Sequence, residues 1–147
     1  MPRAHPPEFV PVASSCPGGR HTNLRFTGLR EGGQMVFAAT GDEPLTMTST
    51  ILRVEPPMLL EHTNADPGSY MRWELESVNT GCVLRLSHFV TDTAAAIDNC
   101  YVVGLHASLA RLSPCLAGHP IAWDRDGFAD AQAQYAGIGL APPMSAP

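Results

Sequence analysis

Residues 69–90 constrain the fold more tightly than any other stretch of the chain. In 69–77, Met71, Trp73 and Leu75 alternate with Arg72, Glu74 and Glu76. In 82–90, Leu84, Leu86 and His88 alternate with Val83, Arg85 and Ser87. A period of two is the signature of a strand with two unlike faces. A hairpin turning at Asn79-Thr80 pairs Leu75 with Leu84, Trp73 with Leu86 and Met71 with His88. A slip of one residue would mix the faces, so the pattern selects this register. It implies an antiparallel sheet with one apolar and one polar face. Glu74 falls opposite Arg85 on the outer side, an exposed pair contributing well under ~1 kcal/mol.

Upstream, the chain reads as more strands of the same kind. A weak run covers 23–27 and a stronger one 34–40; 46–54 is rich in β-branched residues, and the pattern resumes over 58–63. Gly32-Gly33, Gly41-Asp42-Glu43-Pro44, Pro56-Pro57 and Asp66-Pro67-Gly68 punctuate them as turns. Gly32-Gly33 has neither a following helix nor a lysine, so it reads as a turn and not a phosphate cradle. Residues 1–21 hold five prolines and a Gly-Gly pair, which exclude a stable helix or long strand there.

After Thr91 the period changes. Asp92 is placed to cap a helix, Ala94-Ala95-Ala96 to start it and Leu116-Ala117-Gly118 to end it. Val102, Leu105, Leu109, Leu112 and Leu116 form one apolar stripe, whose burial would contribute ~10 kcal/mol gross at ~2 kcal/mol per side chain. Up to Ser113 the helix would run ~31 Å at ~1.5 Å per residue. Pro114 cannot donate to the Ala110 carbonyl, so a kink or break is expected there. A shorter helix is expected over 127–135, capped by Asp126 or Asp124, with Phe128, Gln132 and Tyr135 on one face. The stripe requires an apolar partner surface, and the inner face of the sheet is the large one available. The expected fold is therefore α+β: a curved antiparallel sheet of five to six strands gripping one long C-terminal helix. It forms a single domain over 22–136, between an irregular segment 1–21 and a frayed tail 137–147.

Composition narrows the function. With 44% hydrophobic and 16% charged residues, 14 Pro and 13 Gly, the chain is globular and turn-rich, not a coiled coil or a disordered tract. No apolar run approaches the ~18 residues of a membrane span, and no secretory leader opens the chain, so the expected location is the cytoplasm. All nine basic residues are arginines, scattered singly in a chain of net charge −5, which argues against nucleic acid as a partner. The lack of lysine removes Schiff-base and Walker-type chemistry. Cys16, Cys82, Cys100 and Cys115 form no C-x-x-C pair and read as reduced, mostly buried thiols. Cys16, His21 and His5 sketch three zinc ligands without a fourth, so neither metal nor cofactor is expected.

Several segments also carry a resemblance. They are Val54-Glu55-Pro56-Pro57, Leu59-Leu60-Glu61-His62-Thr63, Met71-Arg72-Trp73-Glu74-Leu75-Glu76, Gly81-Cys82-Val83-Leu84-Arg85-Leu86-Ser87-His88 and Gly104-Leu105-His106-Ala107-Ser108-Leu109. Together they resemble the SRPBCC (START-like, helix-grip) superfamily, and within it the bacterial branch named after the activator of heat-shock-protein ATPase. The resemblance implies a helix-grip fold with a cavity for a small molecule. Ala4-His5-Pro6-Pro7-Glu8 resembles the segment closing the family's first strand, but only Met1–Ala4 precede it; Phe9–His21 is too short and too rich in Pro and Gly for the family's two short helices, and its usual tryptophan in the long helix is replaced by Leu105. The chain thus reads as a trimmed member with an open cavity mouth, or as one with an altered start or reading frame. An open mouth would expose apolar surface and favour a homodimer.

No G-x-S-x-G elbow is present. On the hairpin register, His88 faces the helix side beside Met71 and Trp73, while Tyr70 points the other way. Non-enzymatic binding of a hydrophobic small molecule between sheet and helix is the favoured function. Met71, Trp73, Leu75, Leu84, Leu86, His88, Tyr101 and Leu105 are the candidate contacts. The alternatives are an enzyme of cyclase or hydrolase type using His88 as acid or base, and a co-chaperone-like or regulatory interaction module.

Overall fold

The computed structural model describes residues 21–40, 45–119 and 124–144; the irregular segment expected over 1–21 lies almost wholly outside them. The chain divides into two compact units, one of strands up to Thr91 and one of helices from Asp92.

The strand unit is a meander of β1 (His21–Thr27), β2 (Gln34–Thr40), β3 (Leu45–Glu55), β4 (Leu59–Thr63), β5 (Tyr70–Val78) and β6 (Gly81–Phe89). The strands pair antiparallel in sequence order in one six-stranded sheet. The β5–β6 register is the one the alternation selects, with Leu75 opposite Leu84, Trp73 opposite Leu86 and Met71 opposite His88. Glu74 does face Arg85, yet Arg85 reaches diagonally to Glu76 at 2.9 Å instead. Both partners of that pair are exposed, so it adds little stability.

A bulge in β3 keeps the two faces consistent. Ile51 lies opposite His62 and Arg53 opposite Glu61, so Leu52 is an extra residue and is left exposed. Without it, Val54 and Ile51 would lie on opposite faces. With it, Ile51 and Val54 share the apolar face, while Arg53 and Glu55 stay on the polar one. The β1–β2 turn ends on Gly33, whose backbone bonds with Ile51 of β3. A Cβ at Gly33 would lie 2.2 Å from the Gly28 carbonyl oxygen, so only glycine fits.

In the helical unit, Asp92 caps α1 (Thr93–Asp98) by accepting from the Ala95 N–H at 2.9 Å. The single long helix expected from the stripe is divided. Cys100 adopts the left-handed region with φ 56° between α1 and α2 (Tyr101–Ala110). A second break at Arg111 precedes α3 (Leu112–Leu116), where Pro114 removes the bond to Ala110. The stripe is not the core of this unit either. Val103 is fully buried with Ala131 and Ala141, and Phe128 and Tyr135 pack around them. Leu109 and Leu112 are each 37% exposed and Leu116 79%. α4 (Arg125–Ala136) is capped by Asp124, which accepts from the Asp126 N–H at 3.1 Å. As far as Met144 the tail expected to fray is held in place: Ala141 is buried, and the Gln132 side-chain amide donates to the Pro142 carbonyl at 3.3 Å. Cys16 lies outside the described residues; of the other cysteines, expected to be mostly buried, Cys82 is exposed and Cys100 and Cys115 are half-buried.

Candidate functional site

Successive pairings across β3 to β6 place Val54, Leu60, Trp73 and Leu86 in one row of the apolar face. Leu75 and Leu84 form the next row toward the Pro56-Pro57 turn. On the other side of the Trp73 row lie Ile51, His62, Met71 and His88. Six of the expected contacts, Met71, Trp73, Leu75, Leu84, Leu86 and His88, are thus brought to one face by β5 and β6 alone. The remaining two, Tyr101 and Leu105, belong to α2 of the helical unit and are half-buried there.

Over the first two rows lies a groove of about 370 Å³, walled by Leu29, Val54, Pro56, Pro57, Met58, Leu59, Leu60, Trp73, Leu75 and Leu84. Every one of these side chains is apolar apart from the indole N–H, and the volume falls in the range of small-molecule sites. Of the expected contacts only Trp73, Leu75 and Leu84 line this groove; Leu29, Val54, Pro56, Pro57, Met58, Leu59 and Leu60 were not among the contacts expected from the sequence. The place of 54–60 follows from the register of β3 with β4, whose alternation is too weak to fix it in advance, and that of Leu29 from the β1–β2 turn, which bonds to Ile51 of β3.

At the opposite end the same face becomes polar. Buried His62 donates from Nδ1 to the Thr63 carbonyl at 2.9 Å and accepts from the Trp73 indole N–H on Nε2 at 3.0 Å. Those two bonds fix its neutral tautomer. Asn64, two residues on along the same face, donates from its side-chain amide to Nε2 of His88 at 2.8 Å. Ser69 is buried beside them, and its hydroxyl accepts from the Thr91 N–H at 3.2 Å. Burial pushes both histidines below the ordinary imidazole range. For His62 the Thr63 bond opposes this; for His88 the charge of Asp66 opposes it and His62 adds to it.

The outer face is charged. Glu61, nearly buried, holds Arg72, and Arg53 pairs with Glu55. Tyr70 stacks on Phe89 with ring centroids 4.4 Å apart, and Arg72 lies over the Phe89 ring. Tyr70 therefore points away from His88, as the alternation requires. Among the described residues no three His, Cys, Asp or Glu side chains gather as metal ligands. None of the helices described is long and apolar enough to cross a membrane.

The family described as "Activator of Hsp90 ATPase homolog 1-like protein" matches residues 20–117 of the chain. Among solved structures, the chain is similar to the solution NMR structure of a protein from Bordetella parapertussis. The TM-score is 0.62 at 24% identity, over 88% of this chain and 75% of that one. That likeness places the fold in the α+β helix-grip class expected from the sequence. No curated protein matches the chain.

Proposed function

Because the chain belongs to the Activator of Hsp90 ATPase homolog 1-like family of the SRPBCC superfamily, we propose that it binds a hydrophobic small molecule without transforming it. The family fold is compatible with a ligand-binding or regulatory domain. The observation that favours binding is the groove over Trp73, Leu75 and Leu84, with its wholly aliphatic and aromatic wall. Transfer of apolar ligand surface onto such a wall is worth roughly 25 cal/mol per Å². The acid–base reading of His88 is less well supported, because its Nε2 lone pair already accepts from Asn64. Self-association is the companion proposal, since Leu29, Leu52 and Met58 of the strand unit are each more than 40% exposed.

The test of binding uses Trp73 as reporter in a Trp123→Phe background. Saturable quenching by the apolar probe diphenylhexatriene, weakened several-fold by Leu84→Gln, is the expected result. Absence of saturable quenching, with no shift in melting temperature across a library of lipids and aromatics, would overturn the proposal.

A further inference from the structure

Two grooves share one set of walls. Met58, Leu59 and Leu75 line the apolar groove and also a second of about 420 Å³ on the outer face, whose other walls are three arginines and three glutamates. We propose that one ligand fills both: an amphiphile whose chain lies in the apolar groove and whose zwitterionic head lies on the outer face, cationic next to the chain and anionic beyond it. This rests on the apolar groove being the binding surface. The Leu75 N–H donates to the Met58 carbonyl at 2.9 Å, which ties the β3–β4 turn to β5 where the grooves meet. A ligand leaving the apolar groove over Met58 therefore comes first to the outer-face row nearest that turn, Glu55, Leu59, Glu74 and Arg85.

The strand registers set the order of charge in the head. Arg53, Glu61 and Arg72 share the next row of the outer face, two residues farther along each strand, or roughly 7 Å at ~3.4 Å per residue. In the near row Arg85 is taken by Glu76 at 2.9 Å, and among the described residues Glu74 is in no ion pair. A cationic group next to the chain thus meets Glu74, and an anionic group beyond it meets Arg53 and Arg72. Arg72 donates from Nε to Glu61, and Arg53 from Nε and one terminal nitrogen to Glu55. A guanidinium carries five N–H donors, so both arginines accept an anionic oxygen with those pairs intact. The reverse head would set its anion against Glu55 and Glu74 and its cation against the two guanidiniums. Solvent reaches all these side chains, so each contact adds only a few-fold in affinity and the chain supplies the rest.

The experiment compares four decyl amphiphiles, each below its micellar concentration, by displacement of diphenylhexatriene from the Trp123→Phe chain. They are decyldimethylammonio-propanesulfonate, with the cation next to the chain, decylphosphocholine, with the anion next to it, decyltrimethylammonium and decyl sulfate. The first is expected to bind about fivefold more tightly than each of the others. Glu74→Gln is expected to weaken it about two- to fivefold and to leave diphenylhexatriene binding unchanged, which also shows that the variant is folded. Equal binding of the four heads, preference for another of them, or indifference of the first to Glu74→Gln would overturn the inference and leave the groove reading standing. If the unmodified groove takes up neither diphenylhexatriene nor any amphiphile, both readings fall.

Discussion

Protonation of His62 and His88 costs more in the folded sheet than in the unfolded chain, because burial holds both below their ordinary value. The unfolded chain therefore binds more protons below about pH 6.5, the usual imidazole value. By linkage, the stability these two rings contribute is complete above that pH and is lost as pH falls below it. The urea midpoint is expected to drop between pH 7.5 and pH 5.5, and to drop less in His88→Asn; an equal drop in both would contradict it. Gly33→Ala should cost about 1–3 kcal/mol by the same measurement, since its Cβ meets backbone oxygen and no flexible side chain. The sheet face that His88 shares with Met71 was legible from alternation within one hairpin. The bond from Trp73 to His62 was not, because it depends on the β4–β5 register, and β4 is too short and too uniformly apolar at Leu59-Leu60 to declare a face.

Among the elements, the β5–β6 hairpin was readable because its alternation runs unbroken for several residues on each strand and its turn admits one register. The helical stretch was readable at its ends and not in its middle. Asp92 and Gly118 carry capping chemistry, and Pro114 marks the break at Arg111. The break at Asn99-Cys100 has a weaker signal: Asp98 and Asn99 are poor helix formers, and the Asn99 side chain donates back to the Ala95 carbonyl at 2.8 Å. Once the helix turns there, the leucine stripe no longer shares one straight face. Val103, off the stripe, becomes the buried residue. Truncation separates the two descriptions. Val103→Ala is expected to cost about 2 kcal/mol in chemical denaturation, and Leu116→Ala no more than ~0.5 kcal/mol. The reverse order would restore the stripe as the core. Asp92→Ala should cost about 1 kcal/mol through loss of the α1 cap.

For the whole molecule, the family and the fold class were legible because they rest on patterns spread through the chain. The apolar groove proposed to bind ligand depends on how four strands and two turns bring distant apolar residues together, which composition alone does not encode. Exposed apolar side chains on the strand unit favour self-association, and light scattering at tens of micromolar is expected to report a dimer; a monomer at that concentration would contradict it. The most direct test of the proposed binding groove is photolabelling with an apolar diazirine, followed by peptide mapping. Label is expected on the peptides carrying Met58, Trp73 and Leu84, and excess diphenylhexatriene should displace it. Label spread evenly over the chain, or held at those peptides against the competitor, would contradict a ligand-binding groove on this sheet.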